Sequence, residues 1–210
     1  MENNTVFVLL AGGKSERMGV AKGLLKYNQT FWILEQLHRI SKSTISEVVI
    51  GLGYNYNNYF DAIPWFENAL TKYIDFQGLK VQIIINQKPE LGSFSTLQTV
   101  LKKIDSTQAV IINPIDIPIL NSTELNKIIS LKNDIIIPNF EGKNGHPIKM
   151  RATFWNTLLK INSADINARL DVQLKKINPI RISIIEVSDR AILNNLNFKK
   201  DWNSFLNTIN

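Results

Sequence analysis

Short apolar runs alternate with amphipathic segments along most of this chain, and that alternation limits the folds open to it. The strand-like runs are residues 6–10, 48–52, 81–85, 109–112, 135–137 and 180–187. Several are continuous stretches of Ile, Val and Leu, which is typical of strands covered on both faces. Helical spacing occurs between them, over residues 31–40, 96–104 and 125–132. The pattern predicts a three-layer α/β fold, with a mostly parallel, twisted sheet and helices on both faces.

The 210 residues, 44% of them hydrophobic, are enough for one substantial core, so we expect a single domain over residues 1–210. Asn121, followed by Glu124 three residues later, predicts a helix start of the capping-box type. The aromatic residues between 54 and 66 suggest packing over a long connection, and an aromatic lid over a ligand is the alternative.

Composition excludes several classes of protein. The chain has no cysteine, which rules out disulfides and thiolate metal sites. No stretch approaches the ~20 apolar residues of a membrane span, and the first residues lack the basic region of a secretory signal. We therefore expect a cytoplasmic protein that does not act at a membrane.

The formal net charge is +6, and the lysines that produce it are scattered rather than grouped. A basic surface suits nucleic acid, but no RNA- or DNA-binding motif is visible. A pocket for phosphorylated substrates also favours positive potential. We expect no nucleic-acid partner, and a basic nucleic-acid-associated domain is the weaker alternative.

The segment from Leu10 to Lys22 reads LAGGKSERMGVAK and directly follows the first predicted strand. Its paired glycines let the backbone come close to a ligand, and Lys14, Arg17 and Lys22 place three cations just beyond them. Backbone N–H groups backed by fixed positive charge are what a triphosphate needs. The Walker spacing and the G-x-G-x-x-G pattern are both absent.

Two further groups follow predicted strands. Asp116 comes after the run 109–112, and Gly145-His146-Pro147 comes after the run 135–137. Because ligands of such sheets bind beyond the carboxyl ends of the strands, we expect both groups and the glycine segment at one cleft. Asp116 stands alone among apolar residues and prolines, so it needs water, a cation or a metal such as Mg²⁺. A turn or helix-capping role for Asp116 is equally compatible with the spacing.

The pattern LAGGxSxRMGxxK resembles the signature loop of the MobA-like nucleotidyltransferases. That resemblance implies a Rossmann-like fold of the nucleotide-diphospho-sugar transferase type, and transfer of a nucleoside monophosphate from an NTP to a phosphorylated acceptor with release of pyrophosphate. By resemblance, Lys22 lies at the α-phosphate, Arg17 holds the β- and γ-phosphates, and Asp116 of the D-x-P element holds Mg²⁺. The implied nucleotide-binding residues are Leu10, Ala11, Gly12, Gly13, Lys14, Ser15, Arg17 and Lys22.

Three other elements resemble parts of this family. Gly145-His146-Pro147 and the segment 165–169 resemble the cytidylyltransferase branch, where the former helps to line the acceptor pocket. Asp165 is a candidate second metal ligand or, alternatively, the cap of the helix that carries Arg169. Ala164 and Asn167 replace glycines of that element, which puts its role in doubt. The segment that contains Ser93 and Ser95 resembles the part of the family near the nucleotide base, although simple helix capping explains both serines.

The acceptor best known in this family is the molybdopterin cofactor, so the resemblance implies molybdenum cofactor biosynthesis. LAGG favours GTP, whereas the Gly145–Pro147 and Asp165–Arg169 elements favour CTP, and we weigh the latter more heavily. One alternative is an enzyme that acts on a sugar- or alcohol-phosphate. The other is a non-catalytic relative that binds a molybdoenzyme partner as an accessory protein.

Overall fold

The structure is a computed structural model that describes residues 4–208. Its strands are β1 (Thr5–Ala11), β2 (Lys26–Tyr27), β3 (Thr30–Phe31), β4 (Glu47–Leu52), β5 (Ile74–Phe76), β6 (Leu79–Ile85), β7 (Ala109–Pro114), β8 (Ile135–Phe140), β9 (Lys143–Asn144), β10 (Ile148–Met150) and β11 (Ile182–Glu186). Its α-helices are α1 (Trp32–Ser41), α2 (Tyr56–Ala62), α3 (Trp65–Asn68), α4 (Ser93–Leu101), α5 (Ser122–Ser130), α6 (Ala152–Leu158), α7 (Leu170–Lys175) and α8 (Lys199–Asn207).

Nine strands form one mixed sheet in the order β11-β8-β10-β7-β1-β4-β6-β5, with β9 paired to β8. Strand β1 is central and runs parallel to both β4 and β7. The pairs β4–β6 and β8–β11 are also parallel, whereas β5 and β10 run antiparallel to their neighbours. The predicted mostly parallel α/β architecture is confirmed.

The core has two layers, one on each face of the sheet. In β1, Phe7 and Leu9 pack on the face covered by α1 and α5, while Val6 and Val8 pack on the face covered by α4 and α6. Because both faces are covered, apolar residues occupy successive positions of the strand rather than alternate ones. This explains the continuous Ile, Val and Leu runs of the sequence.

All six predicted strands are present, with bounds shifted by at most three residues. Three strands of the main sheet that the pattern did not predict are β5, the two-residue β9 and β10. Strand β10 has only three residues, and its middle one is Lys149, which is buried. The Lys149 ammonium donates to the carbonyl of Leu131 at 2.7 Å, near the end of α5. Because a lysine occupies the centre of this three-residue strand, the strand does not appear as an apolar run in the sequence.

Strand β10 also sets the geometry of one edge of the sheet. It runs antiparallel between β7 and β8, and its first residue, Ile148, pairs with Ile112 of β7. The residues just before β10 therefore point towards the carboxyl end of β7. This places His146 near Asp116, although the two lie far apart in sequence.

Half of the predicted capping box is observed at α5. The Asn121 side chain accepts a hydrogen bond from the backbone N–H of Glu124 at 3.1 Å. The Glu124 carboxylate does not return to the cap but accepts bonds from the backbone N–H and hydroxyl of Ser188. The first of these bonds lowers the pKa of Glu124. The cap N–H instead donates to Asp189 at 2.7 Å.

The aromatic residues between 54 and 66 act mainly in packing, as predicted. Tyr59 and Phe66 are buried, with stacked rings 6.3 Å apart. Burial raises the pKa of Tyr59. Trp65 meets Phe66 edge-on at 4.6 Å.

Candidate active site

A cleft of about 710 Å³ opens beyond the carboxyl ends of β1 and β7. Its lining includes Gly12 and Gly13 after β1, Asp116 after β7, and His146 before β10. The three groups predicted from strand-end position therefore meet in one place. Apolar side chains also line the cleft, among them Leu97 of α4, Ile112 of β7, Ile148 of β10 and Leu174 of α7.

The glycine segment is held tightly on one side and left open on the other. The carbonyl of Gly12 accepts a bond from the N–H of Tyr54 at 3.2 Å, and a Cβ on Gly12 would lie 2.7 Å from the Thr96 hydroxyl. A Cβ on Gly13 would meet nothing within 4 Å, and Gly13 is exposed. The backbone at Gly13 is therefore accessible to a ligand in the cleft.

Beyond the glycines the chain folds back on itself. Ser15 adopts a left-handed conformation at φ 54°, and its hydroxyl accepts a hydrogen bond from the N–H of Lys22 at 3.2 Å. This bond brings Lys22 back over the cleft. Lys14 and Arg17, in contrast, are exposed at its rim, and Lys14 pairs with Glu16 at 2.5 Å. The segment therefore presents one partly buried cation and two exposed ones.

The Lys22 ammonium is the centre of the site. It donates to the Asp116 carboxylate at 2.7 Å and to the Asn197 side-chain oxygen at 2.7 Å. The side chains of Lys22 and Asp116 are only 14% and 22% exposed. Because one ammonium binds both, the carboxylate oxygen of Asp116 and the amide oxygen of Asn197 lie close together, and both are hard oxygen ligands. Oxygen ligands of this kind suit Mg²⁺, which takes its remaining ligands from phosphate and water.

Asp116 is the acidic residue that carries this prospective metal site. Among residues 4–208, no three His, Asp or Glu side chains converge on one point. A cation bound by Asp116 and Asn197 would take its remaining ligands from outside this set of side chains, such as phosphate oxygens and water. This composition fits an ion that arrives with a nucleotide better than a permanently bound one.

His146 lines the cleft together with Asp116 and is partly buried. Burial lowers the pKa of His146 to about 4, and the Asp116 charge only partly opposes that effect. The imidazole is therefore uncharged near pH 7, and it offers the cleft a neutral hydrogen-bonding group rather than a cation.

The segment before α8 supplies a wall of the cleft that the sequence patterns did not reveal. Asn195 and Asn197 both line the cleft, and the N–H of Leu196 donates to the carbonyl of Asp116 at 2.9 Å. The one available signal was three asparagines within four residues, just ahead of an amphipathic segment. That signal names no partner, so only the fold connects it to Lys22.

Several predicted site residues have other surroundings. Ser93 lines the cleft, but Ser95 is buried, where its hydroxyl accepts from the Asn86 amide at 2.8 Å and donates to the Gly92 carbonyl at 2.8 Å. Simple capping by these serines is wrong, because Gly92 is the N-cap of α4 and no side chain caps it. Leu10 lines the cleft, while Ala11 is buried at the end of β1.

On the acceptor side, His146 lines the cleft but Gly145 and Pro147 do not. A Cβ on Gly145 would lie 2.7 Å from the Cβ of Ile192, so this glycine allows close packing. Pro147 is buried.

Asp165 is exposed and lies outside the lining of the cleft. Its carboxylate accepts a bond from the N–H of Asn167 at 2.7 Å, within its own turn. The alternative that Asp165 caps α7 is wrong, since Arg169 is the N-cap and has no side-chain capping bond. The cleft is lined instead by Arg169 and Asp171, which pair with each other at 3.0 Å.

The family model of the MobA-like NTP transferase domain matches residues 7–177 of this chain. The protein belongs to the MobA-like NTP transferase family. The match covers the glycine segment, Asp116 and His146, and it ends before the segment that carries Asn195 and Asn197.

Solved structures share the fold over nearly the whole chain. A nucleotidyl transferase from Methanothermobacter, Mth528, is 17% identical, with a TM-score of 0.74 over 97% of this chain and 96% of that one. Rv0371c of Mycobacterium tuberculosis in complex with manganese is 16% identical, with a TM-score of 0.69 over 97% of both chains. HddC of Yersinia pseudotuberculosis, complexed with GMP-PN, is 14% identical, with a TM-score of 0.69 over 98% of this chain and 99% of that one. At these identities the likeness shows the nucleotidyltransferase fold.

No curated protein sequence is significantly similar to this chain. Between residues 4 and 208, none of the helices combines the length and the apolar character that crossing a membrane requires.

Proposed function

We propose that this protein transfers a nucleoside monophosphate from an NTP to a phosphorylated acceptor and releases pyrophosphate. The observation that carries the proposal is the placement of Lys22 beside Asp116, 2.7 Å apart at the open end of the glycine segment. A cation and a carboxylate held there can receive, respectively, the phosphate chain and its divalent counter-ion.

The resemblance to the family implies the following roles, and the position of these residues in one cleft supports them. The backbone of Gly12 and Gly13 approaches the nucleotide, Lys22 contacts the α-phosphate, and Arg17 holds the β- and γ-phosphates. Asp116, with the Asn197 oxygen, binds Mg²⁺, which when present neutralises charge on the phosphates. Rv0371c, which has the same fold, was crystallised in complex with manganese, and this supports a divalent-ion site here.

In the reaction, an oxygen of the acceptor phosphate forms a bond to the α-phosphorus, and the bond between that phosphorus and the bridging oxygen of pyrophosphate breaks. The electron pair leaves with pyrophosphate, next to Arg17. A phosphate acceptor is already ionised at pH 7 and needs no general base. The lowered pKa of His146 agrees with a role in contacting the acceptor rather than in taking its proton.

We further propose molybdopterin as the acceptor, CTP as the donor and Mg²⁺ as the cofactor. The apolar side chains of Leu97, Ile112, Ile148 and Leu174 in the cleft offer surfaces against which a flat ring system can pack, which supports an acceptor or donor that contains one. The HddC complex with GMP-PN supports a guanine nucleotide as the competing donor. If the chain binds nucleotide without turnover, an accessory role towards a molybdoenzyme replaces the catalytic one.

The test is thermal unfolding with each of the four NTPs in the presence of Mg²⁺. A ligand at ~100 times its dissociation constant adds about 2.7 kcal/mol of apparent stability. We expect CTP to raise the melting temperature most. Pyrophosphate release is then measured with molybdopterin and with sugar- and alcohol-phosphates. Stabilisation by none of the four NTPs would refute the proposed function, and stabilisation without pyrophosphate release would favour the accessory protein.

A further inference from the structure

The segment before α8 places an aromatic ring against the exposed arginine of the glycine segment. The Arg17 guanidinium lies 5.1 Å from the centre of the Phe198 ring, in cation–π geometry. Phe198 is 42% exposed, so its ring is accessible at the protein surface. Arg17 lines the cleft and lies within the residues matched by the family model, whereas Phe198 lies beyond them.

Phe198 rests on a rigid support. Its N–H donates to the Asp201 carboxylate at 2.8 Å, and the preceding residue, Asn197, accepts the bond from Lys22. On the other side, α8 is anchored in the core by Trp202 and Phe205, whose rings each lie 5.3 Å from Trp32. The backbone that carries the ring is therefore held in place next to Arg17.

Arg17, in contrast, has few restraints of its own. It belongs to a single turn of 3₁₀ helix, Glu16–Met18, and is exposed. Within the part of the chain that the structure describes, no protein group hydrogen-bonds to its guanidinium, and the neighbouring Glu16 pairs with Lys14. The central carbon of the guanidinium lies over the ring. Because an aromatic face accepts the cation without a carboxylate, the guanidinium N–H donors remain available to a ligand.

A ring is suited to this task for a physical reason. A carboxylate would order Arg17 equally well, but it would occupy the N–H donors and neutralise the charge that a phosphate requires. A cation–π contact orders the guanidinium through its face and leaves both the charge and the donors available.

We propose that Phe198 is a positioning residue that pre-organises Arg17 for the β- and γ-phosphates of the nucleotide and for the pyrophosphate product. This inference rests on the proposed function and adds a residue to it. Phe198 acts through Arg17, so its effect depends on the length of the phosphate chain and disappears when Arg17 is absent.

The test compares Phe198→Leu with Phe198→Tyr, because Leu keeps the apolar bulk and Tyr keeps the aromatic face. Dissociation constants are measured by calorimetry with Mg²⁺ for CTP, CMP, GTP, GMP and inorganic pyrophosphate. We expect Phe198→Leu to weaken binding of both triphosphates and of pyrophosphate about two- to five-fold and to leave the monophosphates unchanged. Phe198→Tyr is expected to bind like the wild type.

A double-mutant cycle isolates the coupling. In an Arg17→Gln background, Phe198→Leu is expected to cause no further loss of triphosphate binding. Phe31→Leu is the matched control, because it removes a comparable contact with Lys26, whose ammonium lies 4.0 Å from that ring and outside the cleft. Should Phe198→Leu fold poorly, Phe198→Met takes its place.

The outcomes separate the two proposals. A wild type that binds no triphosphate and no pyrophosphate overturns the proposed function, and this inference with it. If the wild type binds triphosphate, two results overturn this inference alone. One is a Phe198→Leu protein with wild-type triphosphate affinity, and the other is a loss of affinity from Phe198→Leu that is equally large in the Arg17→Gln background. Equal weakening of mono- and triphosphates would show a structural effect and overturn it as well.

Discussion

Replacing Lys22 by methionine is the most direct test of the site, since it removes the ammonium and keeps most of the side chain. Two hydrogen bonds are lost, both 2.7 Å long, to Asp116 and to Asn197. The Lys22 and Asp116 side chains are 14% and 22% exposed, so the partners left behind are neither fully buried nor freely hydrated. We expect a loss of about 1–3 kcal/mol in the free energy of unfolding, the range for stranding a partly buried polar partner.

The expected loss of activity is much larger than the loss of stability. If Lys22 contacts the α-phosphate, charge builds up beside its ammonium as the bond to pyrophosphate breaks. Loss of one preorganised contact of this kind costs about 2.7–4 kcal/mol of transition-state stabilisation, which lowers turnover about 10²–10³-fold.

Pyrophosphate release at saturating NTP and Mg²⁺, measured beside a chemical unfolding curve, separates the two effects. Lys26→Met is the matched control, since Lys26 is exposed and does not line the cleft. It should retain wild-type turnover. A folded Lys22→Met protein that released pyrophosphate at the wild-type rate would remove Lys22 from the mechanism, whatever its stability.

Two further predictions follow from the same surroundings. Gly53→Ala should destabilise the fold by about 1–3 kcal/mol, because its Cβ would lie 2.6 Å from the Gly12 carbonyl oxygen. Gly13→Ala, in contrast, should change the free energy of unfolding by less than about 0.5 kcal/mol, because its Cβ would meet no protein atom within 4 Å. It should still weaken NTP binding about tenfold by crowding the ligand. Unfolding curves and NTP titrations of both variants check this, and wild-type NTP affinity in Gly13→Ala would contradict it. In the ligand-free protein, the pKa of His146 is about 4 in the folded state and ~6.5 in an unfolded chain. Neutral His146 therefore contributes to the free energy of unfolding in full above pH 6.5, and this contribution is lost as the pH falls towards 4. The loss amounts to at most about 3 kcal/mol, and His146→Gln should flatten that part of the curve of unfolding free energy against pH; an unaltered slope would be evidence against it.

The glycine segment and the six strands were predictable because their signals are local. Continuous apolar runs reflect strands covered on both faces, and paired glycines followed by cations describe a turn within one short stretch of chain. Strand-end position was then enough to bring the glycine segment, Asp116 and His146 to one edge of the sheet. These inferences need only the periodicity of the chain and the rule that parallel strands share a carboxyl edge.

The rest of the site depends on which distant segments meet. Asn197 contacts Lys22 across 175 residues, and the Glu124 carboxylate reaches Ser188 across 64, so no local pattern could name either partner. Strand β10 is recognisable only from its pairing with β7 and β8 on either side. Asp165 lies in a segment that resembles part of a site, but its carboxylate bonds within its own turn, to the N–H of Asn167. Backbone preference and apolar periodicity act over a few residues, whereas contacts between remote side chains arise only when the sheet order and the closing of α8 on the core have brought them together.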